Sequence, residues 1–199
     1  MATPITSGNF TFTPTSIEGV TIVDCKAYGD ARGYFVETYK RPDFVAGGID
    51  ADFVQDNQSS STQGVLRGLH FQINHPQAKL VRVVSGEVFD VCVDLREGSP
   101  TFGKWEGVML SVESHRQFFI PRGFAHGFYV LSDTAVFAYK CDDVYHPNDE
   151  GGIRWDDPDI AVQWPLLEDV ELNLSAKDKV HPSFAEYVAA KGAGQGSAE

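Results

Sequence analysis

A chain of 199 residues that is 42% apolar and 22% charged has the composition of a globular protein and the length of one domain. Its formal net charge of −12 excludes a broad nucleic-acid surface, although a few Arg and Lys side chains in one cleft could still hold a phosphorylated ligand. The apolar runs are too short to cross a membrane, and the N-terminus lacks the basic region of a secretory signal.

The cysteines indicate the compartment. Cys25, Cys92 and Cys141 are odd in number and show no CxxC spacing. This argues for free thiols in a reducing compartment, and against both a disulfide framework and a thiolate zinc site. We therefore expect a cytoplasmic protein.

Short alternating or β-branched runs dominate the chain, and turn signals separate them. In chain order we predict strands over GVTIVDC, GYFVETY, VLRGLHFQ, KLVRVVSG, EVFDVCVDL, WEGVMLSV, RQFFIP, HGFYVLS and AVFAYKC. Short helices are predicted over 41–50 and 183–191, and a flexible tail over about 185–199, with fraying from KGAGQGSAE onward. The pattern predicts an all-β antiparallel sandwich or barrel, as one domain over residues 1–199.

Two of these strands carry polar side chains that need an explanation. In VLRGLHFQ, Arg67 and His70 are three apart and would point to opposite faces, unless Gly68 introduces a bulge. In VFDVCVDL, Asp90 and Asp94 share one face, which lies either in solvent or in a barrel lumen. The sequence alone decides neither whether Gly68 forms a bulge nor which environment the two aspartates face.

The segment IPRGFAHGF contains Pro121-x-Gly123-x-x-His126, a spacing that cupin barrels use to aim a histidine into the lumen. A metal-binding cupin would have His-x-His in the earlier strand, whereas this chain has His70-Phe71-Gln72. Because Gln is a poor ligand for zinc or iron, a metal-free cupin is favoured and the histidines become acid–base candidates.

Longer stretches extend this similarity over most of the chain, from about Ile17 to about Phe184. They are ARGYFVETY, FVQDNQSSSTQGVLRGLHFQ, QAKLVRVVSGEVFDVCVDLREGSPTFGKW, IPRGFAHGF, YKCDDVYHPNDEGGIRWDDPDIAVQWP and LSAKD. In this order they resemble the dTDP-4-dehydrorhamnose 3,5-epimerase family, in the deoxysugar-epimerase branch of cupins. The resemblance implies a jelly-roll barrel, a homodimer that exchanges N-terminal strands, and a reaction without cofactor or metal.

The implied substrate is dTDP-4-keto-6-deoxy-D-glucose, whose carbonyl acidifies the hydrogens on C3 and C5. Inverting both centres gives dTDP-4-keto-L-rhamnose, on the route to dTDP-L-rhamnose. The chemistry needs a base on one face, a donor on the other and positive charge at the enolate oxygen. The resemblance assigns these roles to His70 as base, Asp178 as its partner, Tyr139 as donor and Lys79 at the C4 oxygen. An ammonium near Tyr139 is expected to lower the phenol pKa.

The resemblance also implies a set of nucleotide-sugar contacts. Arg67 is suited to the diphosphate, because guanidinium forks pair with phosphate oxygens. Tyr145 is expected to stack on the thymine ring, and Arg32 to reach across from the partner subunit. Asp90 either faces His126 across the barrel or lies on a solvated strand face. The full set of expected substrate contacts is Arg32, Glu37, Gln55, Asn57, Arg67, His126, Tyr145, Glu150 and Lys177.

Three rival interpretations stay open. The first is an epimerase of the same family that acts at C3 or C5 alone. The second is a metal-dependent cupin oxygenase or isomerase that uses His70, Gln72 and His126. The third is a jelly roll that binds sugar without catalysis.

Overall fold

The computed structural model describes residues 3–195. Strands dominate it, in agreement with the sequence pattern. The elements are β1 (Ile5–Ser7), β2 (Phe10–Pro14), β3 (Thr21–Cys25), β4 (Ala27–Asp30), β5 (Gly33–Val36), α1 (Arg41–Ala46), β6 (Gln55–Thr62), β7 (Leu66–Gln72), β8 (Lys79–Ser85), β9 (Glu87–Asp94), β10 (Trp105–Ser111), β11 (Arg116–Ile120), β12 (Phe124–Val130), β13 (Thr134–Cys141), β14 (Glu150–Gly152) and α2 (Phe184–Gln195). Neither helix has the length and apolar character that crossing a membrane would require.

The strands form two large antiparallel sheets and one small hairpin. The first sheet has seven strands in the order β1-β2-β3-β11-β8-β13-β6, and the second has five in the order β10-β9-β12-β7-β14. Strands β4 and β5 pair only with each other. The two sheets enclose an apolar core, and this arrangement confirms the predicted all-β cupin jelly roll.

Three apolar clusters place the layers. The largest lies between the sheets and includes Val81 and Phe137 from one sheet and Val88 and Phe128 from the other. The second covers the outer face of the seven-stranded sheet, where Phe44 of α1 is fully buried. The third covers the outer face of the five-stranded sheet with the C-terminal segment and α2. Consequently β9 and β12 are buried on both faces.

The predicted strands are confirmed, and so are the helices near 41–50 and 183–191. The predicted flexible tail over about 185–199 overlaps the second helix, and residues 185–195 belong to α2. The physical reason is that Phe184 and Tyr187 pack against the third cluster and hold the helix on the sheet. Residues 196–199 of the predicted tail lie outside the described part of the chain.

Candidate active site

Arg67 and His70 lie on the same face of β7. In the pairing of β7 with β12, His70 is opposite His126 and Arg67 is opposite Phe128. Directly opposed residues of an antiparallel pair point to the same side, and positions two apart in one strand share a face. Both side chains therefore address the space between the sheets, which is the arrangement that a bulge at Gly68 allows.

The bulge that makes this possible is at Gly68. The register shifts by one residue there, and Gly68 has φ of +134°, a conformation that favours glycine. A Cβ at this position would lie 2.6 Å from the Cα of Gly127 on the neighbouring strand. The close approach of these two strands therefore depends on the absence of a side chain.

His70 forms a hydrogen bond with a buried carboxylate. Its Nε2 lies 2.5 Å from Oδ1 of Asp178, and the hydroxyl of Ser175 donates to Oδ2 at 2.7 Å. Burial by itself would raise the pKa of Asp178, but the hydrogen bonds from His70 and Ser175 outweigh it and lower the pKa to about 2. An ionised Asp178 selects the His70 tautomer with the proton on Nε2. This leaves Nδ1 as the basic nitrogen, on a side chain that is 43% exposed.

Tyr139 and Lys79 face the same interior from the opposite sheet. Strand β13 places Phe137, Tyr139 and Cys141 on one face, and their partners on β8 are Val83, Val81 and Lys79. The Lys79 ammonium lies 6.0 Å from the centre of the Tyr139 ring. His70 and Tyr139 thus enter the barrel from opposing sheets.

The electrostatics of Tyr139 differ from expectation. Burial raises its pKa, and the lowering effect of Arg67 does not compensate. Burial also lowers the pKa of Lys79. The expected lowering of the phenol pKa is therefore wrong, because removing the ring from water opposes ionisation more strongly than the nearby cation favours it. Tyr139 stays protonated at neutral pH.

A second histidine–aspartate pair lies deeper in the barrel. His126 Nε2 is 2.9 Å from Oδ2 and 3.1 Å from Oδ1 of Asp90, and Asp90 is completely buried. Burial raises the pKa of Asp90 and lowers the pKa of His126. The solvated alternative for Asp90 is therefore wrong. The two residues are neighbours on β9 and β12 and do not meet across the barrel.

Polar residues at the rim of the interior form a connected chain. The backbone N–H of Tyr145 donates to Gln55 Oε1 at 2.9 Å, and the Tyr145 hydroxyl donates to Glu150 at 2.7 Å. Glu150 also forms an ion pair with Lys177, and Gln55 Nε2 donates to Asn57 at 3.0 Å. The structure therefore brings together five of the predicted substrate contacts.

Two predicted contacts lie elsewhere in the single chain. Arg32 is on the β4–β5 hairpin, where its side chain is 89% exposed and forms an ion pair with Asp30 at 2.5 Å. Glu37 accepts a hydrogen bond from Asn9 Nδ2 at 2.6 Å. Neither residue is placed with His70 by the fold of one chain.

The ligand set of the metal-dependent interpretation does not form. The Gln72 amide donates to the carbonyl oxygens of His75 and Val144, and its oxygen accepts from the backbone N–H of His146. Gln72 therefore holds a loop in place, while the His126 imidazole is bonded to a carboxylate. The three proposed donors do not converge on one point.

Three residues near the site were not identified from the sequence. Ser61 accepts hydrogen bonds from the Arg67 guanidinium at 3.1 and 3.2 Å, and Ser175 holds Asp178. The imidazole of His181 packs edge-on against His70, with ring centres 5.4 Å apart. Ser175 and His181 each lie three residues from Asp178, so the surroundings of the LSAKD motif were the available signal.

Comparison with known proteins gives a consistent result. The family model described as dTDP-4-dehydrorhamnose 3,5-epimerase matches residues 14–186. A dTDP-4-dehydrorhamnose 3,5-epimerase from Methanothermobacter thermautotrophicus is 54% identical over 170 residues, which cover 85% of this chain and 92% of that protein.

Solved structures agree with this assignment. An epimerase from Legionella pneumophila, crystallised in complex with dTDP-4-keto-L-rhamnose, superposes with a TM-score of 0.84 at 52% identity, covering 87% of this chain and 92% of its own. A 3'-monoepimerase from Streptomyces bikiniensis, in complex with dTDP-quinovose, superposes with a TM-score of 0.83 at 34% identity, covering 89% and 90%.

Proposed function

The chain belongs to the dTDP-4-dehydrorhamnose 3,5-epimerase family, and we propose that His70 and Tyr139 carry out its proton transfers from opposite sheets of the barrel. The reaction inverts C3 and C5 of dTDP-4-keto-6-deoxy-D-glucose and gives dTDP-4-keto-L-rhamnose, an intermediate of dTDP-L-rhamnose biosynthesis. Each inversion needs a proton removed from one face of the ring and returned to the other.

His70 is the base in this proposal. Its Nδ1 takes the proton from the carbon beside the ketone, and the ring becomes an imidazolium. Asp178 is ionised and 3% exposed. It accepts a hydrogen bond from the Nε2–H group of His70 and stabilises the positive charge of the imidazolium. A positioned base of this kind contributes about 10²- to 10⁴-fold to a rate.

Lys79 stabilises the enolate. Its side chain shares the inward face of the seven-stranded sheet with Tyr139, so a ketone held between the two sheets lies within the field of the ammonium. In a site with little water, a positive charge near a developing oxyanion is worth more than it would be in solution. Burial lowers the pKa of Lys79, and the neighbouring Cys141 and Asp90 side chains oppose that shift only in part.

Tyr139 returns a proton to the opposite face. Because burial keeps its pKa above the ordinary value, the phenol is protonated at neutral pH and can donate to the carbanion carbon of the enolate. The nearby Arg67 guanidinium favours the phenolate that results. Proton exchange with solvent then restores both groups for the next inversion.

The rim residues hold the nucleotide in this proposal. Arg67 binds the diphosphate with its guanidinium, and Tyr145, whose side chain is exposed at the rim, stacks on the thymine ring. Gln55, Asn57, Glu150 and Lys177 contact the nucleotide sugar from the connected chain around the rim, and His126 contacts it from the interior.

The His70–Asp178 hydrogen bond is the observation that carries this proposal. Incubation with dTDP-4-keto-6-deoxy-D-glucose in deuterated buffer, followed by mass spectrometry and NMR, tests the reaction. Deuterium at both C3 and C5 is the expected result. Deuterium at a single carbon would indicate a single-centre epimerase, and its absence from both would overturn the proposal.

We also propose that the active enzyme is a homodimer in which Arg32 enters the partner's site. Support comes from the β4–β5 hairpin, which carries Arg32 beside the exposed side chains of Tyr34 and Phe35. Equal mixing of refolded Arg32→Ala and His70→Asn chains tests this. Half of the dimers would then be mixed and have one intact site, so about a quarter of the native rate is expected. No gain over the separate variants would contradict the exchange.

The cytosol is the proposed compartment. Cys25, Cys92 and Cys141 are all buried without a disulfide, and this supports a reducing environment.

A further inference from the structure

His181 adds a third metal-binding donor to the His70–Asp178 pair. Its Nε2 lies 3.8 Å from Asp178 Oδ1, too far for a hydrogen bond. Within the described residues, this buried nitrogen has no hydrogen-bond partner. His70 Nε2, Asp178 Oδ1 and His181 Nε2 all lie within 4.8 Å of one another. We propose that these three atoms form a binding site for a divalent transition-metal ion, with zinc as the best-suited ion.

The donor set fits zinc. Two imidazole nitrogens and one carboxylate oxygen, with water as the fourth ligand, form a common zinc coordination sphere. Bond lengths near 2.0 Å in a tetrahedron place ligand atoms about 3.3 Å apart. The His70–Asp178 distance of 2.5 Å must therefore lengthen and the His181–Asp178 distance of 3.8 Å must shorten. Both changes are within reach of side-chain rotation.

The surroundings of the three donors support a built site. The other oxygen of Asp178 is held by the hydroxyl and the backbone N–H of Ser175, which orients the carboxylate. Gly152 makes room for the third donor, because a Cβ there would lie 2.3 Å from the His181 ring. The His181 side chain is 16% exposed, so the ring has few alternative positions.

An ion can reach His181 through an open cavity. His181 lines a cavity of about 960 Å³ beneath α2, and the wall of that cavity also carries Gly152 together with Lys79 and Glu150 of the proposed substrate site. The formal net charge of −12 favours the approach of a cation to the protein.

Binding requires a change of the His70 tautomer. The ion binds Nε2, and the proton that Nε2 carried moves through solvent to Nδ1, so the ring stays a neutral imidazole. If the proposed function holds, binding also inhibits the enzyme, because Nδ1 then carries a proton and cannot accept one from the substrate. The site would thus make the base of the reaction sensitive to zinc.

Metal binding is tested without substrate. Protein freed of metal by EDTA is titrated with Zn²⁺ in competition with a chromophoric chelator, as wild type, His181→Asn and His146→Asn. His146 is the matched control, since its ring stacks on His75 at 4.0 Å in a separate histidine pair. We expect one Zn²⁺ per chain, an affinity at least tenfold lower for H181N, and an unchanged affinity for H146N. Equal affinities for wild type and H181N, or no stoichiometric binding, would overturn the proposal.

Two further measurements keep the result interpretable. Thermal unfolding of each variant checks that H181N is folded, and a His181→Gln variant replaces it if it is not. Visible absorption of the Co²⁺-loaded protein reports the coordination directly. A tetrahedral spectrum in wild type that is lost in the variant supports the site, whereas a spectrum that the variant retains would place the ion elsewhere.

Inhibition is then measured as the ratio of each protein's rate with zinc to its own metal-free rate. Wild type is expected to lose half of its turnover at the Zn²⁺ concentration that half-saturates the site. The ratio for H181N is expected to stay near one over the same range of Zn²⁺ concentrations. An equal loss in both proteins would contradict inhibition through this site. Absence of turnover in metal-free wild type would instead count against the proposed function and leave the binding result intact.

Discussion

The barrel contains two histidine–aspartate pairs that have the same chemical groups and different physical states. In the His70–Asp178 pair the histidine is partly exposed, and the carboxyl pKa is lowered to about 2. In the His126–Asp90 pair both side chains are buried, and their pKa values move toward the neutral forms. The first pair can take up a proton from a ligand and stabilise the resulting charge. The second is suited to holding two strands together.

The difference comes from what surrounds each carboxylate. Asp178 is held by Ser175 in a loop at the edge of the barrel, so several donors stabilise its charge. Asp90 lies on a strand that is buried on both faces, with His126 as its hydrogen-bonding side chain. Desolvation raises the pKa of a buried carboxyl group that has few hydrogen-bond donors, whereas several donors lower it.

Removing the base should have the largest effect. His70→Asn is expected to lower turnover about 10³-fold or more, because an amide cannot accept the proton. Deuterium uptake at C3 and C5 measures the loss, and retained binding of dTDP shows that the site is intact. The matched variant in the other pair, His126→Asn, should reduce turnover far less. Equal losses in the two variants would remove the distinction between the pairs.

Neutralising the partner of the base should have the next largest effect. Asp178→Asn keeps the shape of the side chain but removes the charge that stabilises the imidazolium, so turnover should fall about 10²-fold. The loss should appear in kcat more than in KM, since the imidazolium forms only during the reaction. Steady-state kinetics measures this. An unchanged kcat would show that Asp178 only positions the loop.

Acid should weaken the fold through the same carboxylate. The Asp178 pKa is lowered from 3.8 to about 2 in the folded chain, so its contribution, about 2 kcal/mol, is complete above pH 4 and is lost as the pH falls toward 2. Urea unfolding of wild type and Asp178→Asn across this range measures it. The stability difference between the two proteins should shrink as the pH falls. A difference that does not change with pH would contradict the shifted pKa.

The buried pair should give the smallest effect when its shape is kept. Asp90→Asn should change the free energy of unfolding at pH 7 by less than about 1 kcal/mol, since the fold already disfavours the charge. Asp90→Ala should cost about 1–3 kcal/mol, because it leaves the His126 N–H unpaired in the interior. Denaturant unfolding of both variants provides the comparison. A larger loss for Asn than for Ala would show that the charge itself stabilises the pair.

The strands that are rich in apolar residues could be predicted from the chain alone. The runs that became β8 to β13 are short and apolar, with turn signals between them, and all of them are strands. Strand β6, with the sequence QDNQSSST, was not predicted as a strand, because it has no apolar face. Its less exposed positions, including Gln55, Asn57 and Ser61, are polar because they face the interior beside Tyr139 and line the candidate site.

The residues of the site followed from the resemblance, and their arrangement followed from packing. The Gly68 bulge could be suspected from a glycine between Arg67 and His70, but only the register of β7 with β12 confirmed it. The position of His181 three residues after Asp178 was a signal in the sequence, but the contact of its ring with His70 depends on how the chain packs over Gly152.

By itself, the order of residues determined the class of fold, most of its strands and the chemical types available for catalysis, since these depend on local periodicity and on short motifs. Tertiary structure decided which carboxylate stays charged, which histidine remains open to a ligand and which direction the Tyr139 pKa moves. The physical reason is that these properties depend on how much water and how many donors reach each group. Distant parts of the chain set both quantities when they pack together.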